Sequence, residues 1–317
     1  GGTPTISFRD VAIQRRENDL VAASFGRGFY VLDDISPLRE FNPSVMQSEA
    51  TLFKVKPAYW YVQKEEIYGR GNSEYAAKNP PFGAVFTYFL PEKLNSLKAQ
   101  RQEAEKEKVK QNAEIKFPGW DALEKEKQQE EPELILTVRD GNRKMINTVT
   151  GTNKKGFNRV SWDLSYPDRS VVKLNPIKVV DPWSNNTIRA TPGNYTVTLS
   201  KRVDGKLTQL GSIQEFKVIP LGEGALKGAS HDEIKAFIED HQSFQEDLTA
   251  TTTTLSKQLL LVDAMKRAAD KAANPTSELI DKIHNVRKQL LALDKELTGD
   301  KTKAEIGEKS NPTPMDG

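Results

Sequence analysis

The period of the hydrophobic pattern changes along the chain, and the changes divide it. In residues 1–36 the apolar positions fall in short runs: Ile6, Phe8, Val11 and Ile13 within "ISFRDVAIQ", then "DLVAASF" and "GFYVLDD" around Gly26-Arg27-Gly28. Short runs rich in Val, Phe and Tyr between Gly and Asp turns predict a β-meander. Three strands do not make a stable sheet with a buried face unaided. This first region therefore requires more chain on its N-terminal side. Residues 37–81 break the pattern. Pro37, Pro43, Pro57, Pro80 and Pro81, with Gly69 and Gly71, predict an irregular linker laid over something solid.

Alternation returns over residues 82–220. Strands are expected at 83–90, 133–140, 145–151, 157–166, 193–203 and 212–219, with Asp204-Gly205 and Gly141-Asn142 as turns. Several short strands with turns between them predict a β-sandwich, not a βαβ fold. An insertion at 94–132 is rich in Ala, Glu, Lys and Gln, which favour helix. Glu103 with Lys106, and Glu107 with Lys110, are spaced to pair along it. "FPGWDAL" breaks that helix, and Trp120 and Leu123 are expected to pin its second half to the body. A solvated excursion from a loop is favoured over a partner-binding arm.

Residues 221–299 change to helical period. Ser230 and Glu233 form a capping box. Ile234, Phe237, His241, Phe244, Leu248, Leu255, Leu259 and Val262 then recur at steps of three and four. A second helix starts near Thr276, and Leu279, Ile283, Val286, Leu290, Leu293 and Leu297 repeat the step up to Gly299. Two such helices joined by "DKAANPT" predict an antiparallel hairpin with a coiled-coil-like seam. Residues 300–317 form a polar, extended tail.

Charge and composition narrow the chemistry. With 46 basic and 44 acidic residues the net charge is +2, which gives no argument for nucleic acid or an anionic surface. No cysteine is present, so disulfides, thiolate catalysis and Cys-ligated metals are excluded. "GRG" lacks the third glycine and the following helix of a dinucleotide loop, and the simpler reading is a tight turn. Asp33 and Asp34 are neighbours on a strand end and face opposite ways, which does not suit paired-carboxylate hydrolysis. They are read as capping the turn into "ISPL". His231, His241 and His284 form no H-x-x-x-H pair, although His241 and His284 both fall on the helical seam. No catalytic, cofactor-binding or metal residue is predicted. Tyr59, Trp60 and Tyr61 are the candidate ligand or interface residues, read first as a seal between domains and second as a sugar-stacking platform. Trp162 is in phase with Val160 and Leu164 and is assigned to the core. Asn185 and Asn194 begin glycosylation sequons, and Asn194 is assigned to a turn instead.

"ENDLVAASFGRGFYVLDDISPLRE" resembles the closing segment of large bacterial sortilin-like, BNR-repeat β-propeller proteins, often labelled glycosyl hydrolases. "LFKVKPAYWY", "NPPFGAVFTYFL", "FPGWDAL", "LTVRDGNRKMINTVTG", "GFNRVSWDLSY", "PGNYTVTL" and "VDGKLTQLGSIQEFKVIP" are similar, in that order, to the C-terminal half of the same proteins. The resemblance covers nearly the whole chain. It implies a remnant of a final propeller blade (1–36), a linker (37–81), an Ig-like sandwich (82–220), a helical hairpin (221–299) and a tail. "GFNRVSWDL" and "PGNYTVTL" also resemble the Ig-like domains of flagellar hook-capping proteins and some secretion-sorting modules. A sorting module is normally terminal, and the helices that follow here argue against a pure secretion signal. The resemblance implies an exported bacterial protein of Bacteroidota type, in the periplasm, at the outer-membrane surface or outside the cell. Its expected role is non-catalytic: a scaffold that contacts its own upstream propeller and protein partners in an envelope assembly. The alternative is a carbohydrate-binding accessory module. No Asp-box occurs in the chain, so the hydrolase label does not carry over to it.

Overall fold

The computed structural model describes residues 5–61, 79–167, 172, 188–222 and 228–299. The expectations for Gly69, Gly71, the Asn185 sequon and the tail lie outside these residues. The chain divides into two compact units, one holding all the described strands and the other the two long helices.

The first unit begins with an antiparallel three-stranded sheet, in order β1 (Phe8–Gln14), β2 (Asp19–Ser24) and β3 (Phe29–Leu32). Two short helices follow, α1 (Ser36–Glu40) and α2 (Pro43–Gln47). Proline opens each of them, and the Asn42 side chain accepts a hydrogen bond from the Ser44 N–H at 2.9 Å to cap α2. The linker then supplies β4 (Thr51–Leu52) and β5 (Ala58–Trp60).

These two strands join different sheets. β4 pairs with β6 (Ala84–Leu90), which pairs with β9 (Gly156–Trp162). β5 lies at the edge of a five-stranded sheet, parallel to β11 (Lys206–Pro220). Beyond β11 come β10 (Gly193–Val203), β7 (Glu133–Asp140) and β8 (Met145–Gly151), all antiparallel. The linker thus carries strands of both sheets within ten residues.

Alternating side chains from the two sheets meet in one core. Phe86 of β6 packs edge-on against Phe216 of β11 at 5.6 Å, and Trp162 of β9 against Tyr195 of β10 at 5.4 Å. Leu134, Leu136, Val138, Val197 and Leu199 are fully enclosed around them. The polar atoms of the buried rings are satisfied locally. The Trp162 indole N–H donates to the Ser165 carbonyl at 2.9 Å, and the Tyr195 hydroxyl donates to the Thr191 carbonyl at 2.6 Å. Burial, aided by the nearby Tyr166 and Asp140, pushes the Tyr195 hydroxyl well above the ordinary tyrosine range. On the outer side of the small sheet, Phe89 and Phe157 form a second cluster with Phe41 and Phe53 from the linker. The described part of the linker is therefore packed, and it carries two short helices and two strands where an irregular path was expected. Asp204 and Gly205 both take positive φ between β10 and β11, as a tight hairpin turn demands. Asn194 lies within β10 rather than in the turn before it.

The insertion folds as two helices, α3 (Leu97–Lys110) and α4 (Trp120–Gln128). Trp120 does not pin it: the ring is 77% exposed and touches Phe117, while Leu123 is half-buried. Polar ties replace it: Asn153 of the body holds the insertion's entry, accepting from the Leu94 N–H at 2.8 Å and donating to the Leu94 carbonyl at 2.7 Å, and further bonds join α3 to α4. Arg101 donates to Glu126 at 2.6 and 2.9 Å and to Glu105 at 2.8 Å, and the Gln129 side chain accepts from the Leu97 N–H at 2.6 Å. Lys110 pairs with Glu107 as its spacing predicts, whereas Glu103 accepts from Asn95.

The second unit contains α5 (His231–Asp270) and α6 (Ser277–Thr298). Gly299 ends α6 at φ 78°, its N–H donating to the Lys295 carbonyl at 3.0 Å. No helix among the described residues is long and apolar enough to cross a membrane.

Gly83, just before β6, shows how closely a neighbouring strand of the same sheet, β9, constrains the backbone. It has φ +95°, and a Cβ there would lie 1.9 Å from the Trp162 carbonyl oxygen. Gly119 has a similar φ of +92° but open space around it. Gly83→Ala is expected to cost about 3 kcal/mol or more of unfolding free energy. Gly119→Ala should cost only the local backbone strain of about 1 kcal/mol. Urea denaturation of both variants checks the contrast.

Candidate interaction surface

Strand register decides which side chains of the first sheet share a face. Val11, Ala22 and Tyr30 are aligned across it, as are Leu20 and Leu32 with Ile13. On the opposite face Ala12, Val21 and Val31 align, followed by Ala23 and Phe29. Apolar side chains therefore dominate the middle of both faces, with Asp10, Gln14 and Asp19 at the ends of the second. Neither is well covered: Val11 is 56% exposed, Val31 56% and Phe29 75%. A sheet exposed on one side normally shows polar side chains there. Apolar residues on both faces belong to sheets that pack on both sides.

The glycines between β2 and β3 serve this sheet. Gly26 and Gly28 each have φ 76°, and a Cβ on either would meet nothing. Their requirement is conformational. The Ser24 N–H and hydroxyl both donate to the Gly28 carbonyl, at 3.0 and 2.8 Å, closing the turn. A strand follows and no helix, so no row of N–H groups is arranged to hold a phosphate.

A polar clamp fixes the sheet's exit. Asp34, at φ 47°, donates its N–H to the Asp19 carboxylate at 2.9 Å, and the Ile35 N–H donates to the Asn18 carbonyl at 2.8 Å. The Asp34 carboxylate accepts from the Ser36 N–H at 3.2 Å, the turn-capping role expected for it. Arg159 of β9 then donates to the carbonyls of Asp33 and Asp34 at 2.7 and 2.9 Å, and to the Thr87 hydroxyl at 3.2 Å. Lys56 pairs with Asp34 at 3.1 Å and donates to the Glu17 carbonyl. Partial burial pushes the Asp34 carboxyl up, but the hydrogen bonds from Ser36 and Lys56 and the Lys56 charge outweigh it. Its pKa is held below the ordinary value. No sequence signal marked Arg159 or Lys56, because each acts on backbone far away in the chain.

Tyr59, Trp60 and Tyr61 come at the edge strand β5 and just after it. Tyr59 and Tyr61 are exposed, while Trp60 is half-buried with an enclosed indole N–H that has no partner. Strand alternation turns Trp60 away from Tyr59. Tyr61 packs edge-on against Phe82 at 5.0 Å, and Arg189 lies over the same Phe82 ring at 4.7 Å. The three rings thus do not share one face. The seam histidines are not brought together either. Arg287, one turn from His284, meets Asp263, which lies about 33 Å along α5 from His241 at ~1.5 Å per residue. Among the described residues no group of three or more His, Asp or Glu side chains is placed to hold a metal.

No family model matches the chain, and no curated protein matches it.

The clamp gives a pH signature. A carboxyl whose folded pKa is lowered contributes stability above its unfolded value, near 4, and loses it as pH falls through the folded value. Asp34→Asn is expected to cost about 1 kcal/mol at neutral pH. That difference from the native chain should shrink as pH falls below the ordinary aspartate range. Urea midpoints of both proteins across this range check it.

Proposed function

We propose that this chain is the closing part of an exported bacterial β-propeller protein and works without catalysis, as a scaffold and protein-contact module of a cell-envelope assembly. In this reading β1–β3 are the last blade, the two facing sheets are an Ig-like module, and the helices serve partners. The observation that carries it is the first sheet, apolar on both faces and uncovered on both. A propeller blade is a sheet that needs cover on both faces, since blades pack around a common channel. The resemblance of "GRGFYVLDDISPLRE" to the end of such blades supports the same reading. So does the clamp, which holds the sheet's exit against β9 and would give a blade a fixed handle on the next module. Export and the envelope location rest on the resemblance alone.

The reading has a two-sided test. Phe29→Asp and Val31→Asp place charges on one face of the sheet. In this chain, where that face is exposed, each should change unfolding free energy by no more than about 0.5 kcal/mol. In the longer protein with the preceding segment, each should cost about 2–4 kcal/mol by burying an unpaired charge. Equal effects in both proteins contradict the blade assignment. Recovery of the longer protein from the cytosol contradicts the location.

A further inference from the structure

The two long helices are unequal. α5 runs His231–Asp270 and α6 only Ser277–Thr298. The Arg287–Asp263 pair at 2.9 Å sets their antiparallel register. Leu290, Leu293 and Leu297 then line a groove with Thr251, Leu255 and Gln258. The α6 helix therefore ends opposite Thr251, and the first half of α5 extends beyond it by about 28 Å, at ~1.5 Å per residue.

The seam continues into that overhang without a change of phase. Leu255, Val262 and Ala269 recur every seven residues and are buried where α6 covers them. The same positions earlier are Leu248, His241 and Ile234, with Phe244 and Phe237 at the alternate seam position. On this face no described residue covers the helix: Phe237 is 70% exposed and Phe244 65%, whereas Gln242, on the other side of α5, is buried. Beside the two phenylalanines, also seven residues apart, stand Asp240 and Asp247. These are the flanking positions that choose a coiled-coil partner by charge.

We propose that the overhanging half of α5 docks a basic amphipathic helix of a partner protein, laid antiparallel along the seam. Its apolar stripe would cover Phe237 and Phe244, and its lysines or arginines would meet Asp240 and Asp247. The chain already shows the pairing chemistry, since α6 sets Arg287 against Asp263 on the same helix. A second copy of the chain is a poor occupant. Residues 231–249 hold six acids and one lysine. An antiparallel copy would set Asp240 and Asp247 against the same acids. An anionic membrane surface is disfavoured by the same charges. The inference rests on the reading of the helical pair as a partner site, and not on what covers β1–β3.

The test uses the full chain and two synthetic amphipathic peptides of about three heptads, with leucine at both seam positions. One carries lysine at the flanking positions and the other glutamate. Fluorescence anisotropy should show the lysine peptide binding about tenfold tighter, with the advantage lost in high salt. The double variant Asp240→Lys/Asp247→Lys should reverse the preference, and Phe237→Ala should weaken both. Circular dichroism confirms that these surface changes leave the helices formed. Absence of lysine-peptide binding, equal binding of both peptides, or an unreversed preference overturns the proposal. Dimerisation of the native chain through this segment, or binding to anionic vesicles instead, also overturns it. None of these changes touches β1–β3, so the proposal can fail while the blade assignment stands.

Discussion

A sheet with apolar side chains on both faces has to be covered on both, and the arrangement of this chain follows from that constraint at β1–β3. Val11 and Leu32 on one side, and Val31 and Phe29 on the other, remain open to solvent. The sheet is nevertheless held at its exit. Arg159 grips the carbonyls of Asp33 and Asp34, and Lys56 bridges Asp34 and the backbone at Glu17. These are polar, directional contacts at one end, and they leave both apolar faces free. Burial of those faces is the large energy still to be gained, at about 25 cal/mol per Å² of apolar surface. The clamp decides only the orientation in which that gain is made.

The remaining structure separates parts complete in themselves from parts that are not. The facing sheets enclose Phe86, Trp162, Tyr195 and Phe216 with their polar atoms satisfied, which marks a finished core. The helical pair leaves part of its seam exposed. Its three buried apolar residues all lie under α6, and the same seam runs on beyond it. The insertion is a third case. Its charged helices need no core: Arg101 ties them to each other, and Asn153 holds the insertion's entry at Leu94.

Much of this was legible in the sequence because it depends on local period. Strands β6 to β10 fall where alternation places them, and the helix pair follows the three-and-four step to Gly299. The turns at Gly26, Gly28 and Asp204-Gly205 were readable because positive φ selects for those residues. Other features left no periodic trace. The strands β4 and β5 are two and three residues long, too short for alternation to show. The Arg159 clamp joins side chain to backbone across 125 residues, and any strand arginine looks the same in sequence. The separation of Trp60 from its neighbouring tyrosines follows from strand geometry once β5 is known. The misjudged Trp120 reflects the usual assumption that a large ring is buried, which fails when polar side chains provide the tie.

Amide hydrogen exchange across β1–β3 tests the central claim most directly. In this chain alone, the amides of Val21, Ala22, Tyr30 and Val31 should exchange orders of magnitude faster than those of Leu136 and Val197 in the finished core. In a longer protein that carries the proposed neighbouring blade, they should slow to the rate of the core. Protection in the isolated chain equal to that of the core would contradict the claim. So would fast exchange that persists in the longer protein.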